Sequence, residues 1–167
     1  RAAALGPEQA LTRTVDRVNG LLMMDMAPGR FVTTVVTLLD AEASRAHLVS
    51  AGHAPLLFYR AATGALESWS ADTLPLGISP ELACESAREI AFEPGDTLVL
   101  LTDGFFEWLD PDGEAYGLER LGAFVRARAD RPPREIIEAL HADVLAHARG
   151  TVQADDLTVV VIQRERA

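Results

Sequence analysis

The stretch Gly95-Asp96-Thr97-Leu98-Val99-Leu100-Leu101-Thr102-Asp103-Gly104-Phe105-Phe106-Glu107-Trp108 decides how this chain is read. Thr97 to Leu101 is short and almost wholly apolar, and Pro94-Gly95-Asp96 before it is a turn signal. Five such residues are too few for an ordinary helix, so the pattern predicts a strand buried on both faces. The strand runs into Thr102-Asp103-Gly104. A carboxylate at the end of a buried strand is costly unless a cation or hydrogen-bond donors receive it. Gly104 removes a side chain beside it, so the backbone can turn sharply or a ligand can come close. Two readings stand side by side at this point: a metal-binding aspartate on a rigid strand end, and a plain Asp-Gly turn.

A second stretch bears on the choice. Gln153-Ala154-Asp155-Asp156-Leu157-Thr158 leads into the β-branched run Val159-Val160-Val161-Ile162. If that run pairs antiparallel with the first strand, Asp103 meets Asp155 and Asp156 at one edge of a sheet. Three clustered carboxylates repel one another unless hard divalent cations such as Mg²⁺ or Mn²⁺ lie between them.

Composition bounds the rest. A chain of 167 residues, 49% of them hydrophobic, is long enough for one domain with its own core, and residues 1–167 are read as a single domain. The net charge of −10 argues against nucleic acid or an anionic membrane surface as a partner. All 15 basic residues are arginine, which reads as coding bias and not as a phosphate-binding device. The lone Cys84 suits a reducing, cytoplasmic compartment. No apolar run approaches the ~20 residues of a membrane span.

Along the chain, Pro7 opens a helix with Leu11, Val15, Val18 and Leu22 on one stripe, ended by Ala27-Pro28-Gly29. Met23, Met24 and Met26 read as packing residues. Residues 31–39, a return strand begun at 47–50 and continued at 56–60 after an interruption, and 66–69 read as one antiparallel meander with turn signals between strands. His53, in the interrupting 51–55 segment, reads as support for that loop. Residues 74–78 make a rigid connector that includes Gly77. Residues 86–92 alternate and are expected to pair with the central strand at 97–101. Asp110-Pro111-Asp112-Gly113 is a turn and lacks the length of a calcium loop. Helices follow at 117–128, with Leu118, Leu121, Phe124 and Val125 inward, and from Pro132-Pro133 to Gly150, with Ile136, Ile137, Leu140, Val144 and Leu145 inward.

With these residues placed, the chain resembles the bacterial PPM-type serine/threonine phosphatases of the stage II sporulation protein E group. The matching stretches are Phe31-Val32-Thr33, Ser50-Ala51-Gly52-His53-Ala54-Pro55-Leu56, Leu74-Pro75-Leu76-Gly77, the run from Gly95-Asp96 to Thr102-Asp103-Gly104, and Gln153 through Asp155-Asp156-Leu157-Thr158. They stand in the family's order and cover nearly the whole chain. The resemblance implies an α+β fold, an α/β-β/α sandwich of two antiparallel sheets flanked by helices, with a two-metal site at one edge. It implies Mn²⁺ or Mg²⁺ as cofactors, activating a water that attacks phosphoserine or phosphothreonine. On the matching positions Asp103 and Asp155 become metal ligands and catalytic residues. Asp156 becomes a neighbour that orients them, and Gly104 and Gly77 become close-approach positions.

The family's early motifs, which bridge the metals, do not occur here: a Gly-Asp followed by aromatic residues and Asp, then a Gly-Asp-x-x-Gly-His-Gly loop. The chain therefore looks like the C-terminal two-thirds of such a domain, its first strands absent. Residues 1–167 alone are expected to be inactive and to leave an apolar face open to association, as in a homodimer. The implied function is a cytoplasmic phosphatase acting on a regulatory phosphoprotein of the anti-sigma-factor-antagonist type, with a sensor domain upstream. The alternative is a non-catalytic relative that binds a regulatory partner. Aspartyl-nucleophile phosphatases need a second aspartate two residues after the first. Phe105 holds that place and excludes them.

Overall fold

A computed structural model of the chain describes residues 5–82, 84 and 86–166. In chain order they form α1 (Pro7–Asp25), β1 (Thr34–Asp40), β2 (Arg45–Ala51), β3 (Leu56–Arg60), β4 (Ala65–Trp69), β5 (Arg88–Ala91), β6 (Thr97–Leu101), α2 (Gly104–Glu107), α3 (Leu118–Arg128), α4 (Pro133–Ala148) and β7 (Val159–Gln163). Two units divide these elements. One comprises Ser70–Phe92 with the chain up to Ala54, the other Pro55–Trp69 with the chain from Glu93 onward.

In the first unit, β1, β2 and β5 form a three-stranded antiparallel sheet. Leu11 and Val15 of α1 pack with Val49 and Ala51 of β2, Leu76 and Ala87. The helical stripe departs from expectation at one place. Val18 is 40% exposed, and the buried position falls on Asn19, 1% exposed. A polar residue can hold that place because its hydrogen bonds are made. Asn19 Nδ2 donates to the Ser79 carbonyl at 2.9 Å, and its Oδ1 accepts from the Gly77 amide at 2.8 Å.

In the second unit the sheet order is β4-β3-β6-β7, antiparallel throughout. β6 is buried on both faces as its composition requires, with Leu98 and Val99 fully buried and Leu101 at 2%. Leu57, Val99 and Leu101 pack with Phe105, Leu121, Phe124, Val125, Ile136, Leu140 and Val144 in one core. Each such side chain contributes roughly 1.5–3 kcal/mol on burial. Leu118 and Leu145 lie off the inward stripes of α3 and α4, 50% and 45% exposed.

Two strand assignments from the sequence are corrected. The expected single meander is split, with β1 and β2 in one sheet and β3 and β4 in the other. The break lies at Gly52, whose φ of +69° takes the chain off β2, and whose ideal Cβ would fall 2.3 Å from Pro75 Cγ. Its amide donates to Thr73 and not to a neighbouring strand, and Pro55 has no amide to offer. The second correction concerns β5, which pairs with β2, Ala46 opposite Ile90, and not with β6. Both edges of β6 are taken by β3 and β7. Alternation tells which face of a strand is buried but does not name its neighbour. Asp72 fastens the observed pairing, accepting from the Ser50 amide of β2 at 2.8 Å and from Arg88 of β5 at 2.7 Å.

A buried carboxylate secures the entry to β6. Asp96, 1% exposed, accepts from the Ala61 amide at 2.8 Å and the Glu93 amide at 3.0 Å, and Arg60 lies at 3.4 Å. Asp96→Ala would strand both amides, at about 1–3 kcal/mol each. Chemical denaturation should therefore show a loss of about 2–6 kcal/mol. Asp96→Asn, which keeps one acceptor, should lose less. Equal stability of Asp96→Ala and the unsubstituted protein would show that these bonds carry no weight.

Candidate functional site

The antiparallel pairing on which the carboxylate edge depends is present. β6 and β7 pair from Thr97 opposite Gln163 to Leu101 opposite Val159. The end of one strand thus adjoins the start of the other. Beyond the last ladder pair, Thr102 extends the connection with its side chain. Its amide donates to the Thr158 carbonyl at 3.0 Å, and its hydroxyl donates to the Asp156 carbonyl at 2.9 Å. The same hydroxyl accepts from the Thr158 amide at 3.0 Å. The hydroxyl thereby uses its donor and one acceptor position, and residues 155–158 are fixed beside residues 102–104.

Asp103 caps the short helix α2, with Oδ1 accepting from the Gly104 amide at 3.0 Å. Asp155 makes the equivalent bond, Oδ1 accepting from the Asp156 amide at 2.7 Å. Asp103, Asp155 and Asp156 are all exposed. Among the described residues, the second carboxylate oxygen of Asp103 and of Asp155 has no hydrogen-bond partner. The bond from Gly104 suits both readings of Asp103, as turn cap and as ligand, because it leaves an oxygen facing solvent.

Gly104 is settled more firmly. Its backbone is helical, so positive φ is not the reason for glycine. Space is the reason: an ideal Cβ would fall 2.6 Å from the Asp156 carbonyl oxygen and 3.4 Å from that of Asp155. The sequence left open a sharp turn or the approach of a ligand; what comes close is the protein's own chain, the Asp155 and Asp156 carbonyls and the Leu157 side chain. Gly77 belongs to the unit of the three-stranded sheet. It has φ +86° and an ideal Cβ 3.2 Å from Met26 Sδ. His53 lies in that same unit, its carbonyl accepting from the Ser50 hydroxyl.

The donor chemistry suits Mn²⁺ or Mg²⁺ in kind, since both are held by oxygen ligands. It falls short in number. Among the described residues no three His, Cys, Asp or Glu side chains are grouped so as to hold an ion, and Mg²⁺ takes about six ligands. Asp103 and Asp155 are therefore suited to be part of a ligand set that water or other groups complete. Sequence reasoning missed Thr102 as the clamp that sets this edge. The signal was present, a hydroxyl residue directly after an apolar strand.

Two antiparallel sheets flanked by helices are the architecture of PP2C-type phosphatase domains. The SiaA-PP2C domain of Pseudomonas aeruginosa matches with a TM-score of 0.77 at 19% identity, over 90% of this chain and 59% of that one. The phosphatase domain of the cell fate determinant SpoIIE from Bacillus subtilis, in manganese-presoaked crystals, matches with a TM-score of 0.66 at 18% identity. That match covers 100% of this chain and 78% of the other. The chain belongs to the stage II sporulation protein E (SpoIIE) family, whose model matches residues 1–165. Protein IcfG of Synechocystis sp. is 25% identical over 140 residues, 84% of this chain and 21% of that protein's length. No helix among the described residues is long and apolar enough to cross a membrane.

The close approach at Gly104 can be checked by substitution. Gly104→Ala places a methyl group against backbone, which cannot swing away, and should cost about 1–3 kcal/mol as overpacking does. Gly20→Ala, in α1 with nothing within 4 Å, should be neutral or stabilising by up to about 1 kcal/mol. Thermal melting of the two variants should separate them. Similar melting would mean the 104–156 contact yields without cost.

Proposed function

We propose that this chain forms part of a metal-dependent protein serine/threonine phosphatase acting in the cytoplasm on a regulatory phosphoprotein of the anti-sigma-factor-antagonist type. The observation that carries the reading is the β6–β7 pairing, which brings the Asp103 and Asp155 segments to one sheet edge in a member of this family. Asp103 and Asp155 are the ligands, each offering an oxygen free of protein partners. Asp156 has its backbone locked by Thr102 and its carboxylate exposed, and it orients the ligands and nearby water. Bound at this edge, Mn²⁺ or Mg²⁺ would polarise the phosphoryl group and make an attacking water more acidic. The protein's part is to hold the carboxylates still. The Thr102 bonds fix the backbone from which Asp155 and Asp156 project, and the cap bond orients the Asp103 side chain.

A second reading, a non-catalytic module that binds a regulatory partner, draws on the absence of a third ligating side chain among the described residues. Substitution separates the two. In the full-length protein, Asp103→Asn keeps size and most hydrogen-bonding capacity while removing one charge. Manganese titration by calorimetry should show binding lost in Asp103→Asn and Asp155→Asn. Metal-free melting should be unchanged or slightly higher, because repulsion between carboxylates is relieved. Phosphatase activity should fall about 10–100-fold in Asp156→Asn, the range for residues that orient a metal ligand, and further in the other two. Intact manganese binding in Asp103→Asn would leave it a turn cap. Binding with no turnover in the unsubstituted full-length protein would favour the non-catalytic module.

A further inference from the structure

Beside the carboxylate edge, a pocket of about 340 Å³ opens between the segment after Asp103 and the segment before Asp156. Gly104 and Asp155 belong to both the edge and the pocket, and Glu107, Trp108, Leu109 and Val152 supply the rest of the lining that matters here. The walls are tied together. Trp108 Nε1 donates to Thr151 Oγ1 at 3.0 Å, and that hydroxyl donates to the Leu109 carbonyl at 2.7 Å. Leu109 is also followed by a braced turn. Asp110 accepts from the Asp112 and Glu114 amides and from Arg149, which hold its carboxyl below the usual range, the Glu114 amide most strongly. These bonds fix the Trp108, Leu109 and Thr151 side of the pocket.

Its chemistry is mixed in a particular way. Leu109 and Val152 are 50% and 88% exposed, an apolar surface left to solvent. Glu107 is exposed, and among the described residues its carboxylate makes no hydrogen bond or ion pair. Asp155, the other acid, is committed to the metal edge in the reading above. An apolar wall ending in one unpaired carboxylate complements a side chain with a methylene stem and a cationic head. An acidic side chain would meet repulsion from Glu107. Because Gly104 and Asp155 line both the edge and the pocket, a polypeptide that delivers a phosphorylated residue to Asp103 and Asp155 can lay a neighbouring side chain into it.

We propose that the pocket takes an arginine or lysine side chain of the phosphoprotein substrate close to its phosphorylated residue, with Glu107 receiving the positive charge. This rests on the phosphatase reading and makes Glu107 a determinant of which phosphoproteins are accepted.

The test uses the full-length protein with Mn²⁺, p-nitrophenyl phosphate, and phosphoserine peptides differing only in carrying Arg or Glu at the positions flanking the phosphoserine. The expected result is hydrolysis of p-nitrophenyl phosphate and a kcat/KM about 10-fold higher for the Arg peptide than for the Glu peptide. In Glu107→Arg the ratio should invert. A ratio within one variant is unaffected by how much active protein each preparation holds. Hydrolysis of p-nitrophenyl phosphate with no preference between peptides, or an unchanged ratio in Glu107→Arg, overturns the inference and leaves the phosphatase reading standing. Failure to hydrolyse any of the substrates overturns both. Loss of Mn²⁺ binding in Glu107→Gln would make Glu107 a metal ligand and likewise overturn it.

Discussion

One hydroxyl group carries much of the geometry of the second unit. Thr102 stands where the β6–β7 ladder ends, and a side chain there takes over from the backbone. It donates to one residue of the opposing segment and accepts from another. Each such bond is worth only about 0.5–1.5 kcal/mol net, a small sum beside the burial of the core around Val99 and Leu101. Its importance is positional. The core fixes the sheet, but of residues 155–158 only Leu157 packs against it, and the other three are exposed. The clamp lends them the rigidity of β6, and Gly104 lets the two backbones close to within contact.

The same division recurs in both units. Apolar contacts gather the elements, and a buried polar residue fixes a particular turn. Asn19 does this for residues 77–79 and Asp96 for the approach to β6. Such residues are tolerated inside because their partners are backbone groups that would otherwise go unsatisfied.

The central strand was legible because five apolar residues between a turn signal and a carboxylate admit little else. The helices were legible from Leu11 and Val15, Leu121 and Val125, and Leu140 and Val144, residues four apart on one face. Asn19 was not, since a polar letter reads as surface until its partners are known. Strand partners were also hidden. The 51–55 segment reads from the sequence as an interruption within one return strand, and only the Pro75 ring against Gly52 shows why the chain leaves the sheet there. Of the site, the aspartates and their likeness to a family motif could be read directly. Their mutual placement could not, because it depends on which strand lies beside β6. The helix α2 was invisible for another reason: four residues carry no periodicity.

The two tryptophans end in different company, and the difference has an optical consequence. Trp69 stacks on Phe58, ring centroids 5.0 Å apart, and gives its N–H to Glu67. Trp108 is 7% exposed, lines the pocket at the carboxylate edge, and gives its N–H to Thr151. Indole emission follows the polarity around the ring, so a change in hydration beside Trp108 alters one emitter and leaves the other as an internal standard. The chain therefore carries its own fluorescent gauge of what enters that pocket, with no label attached.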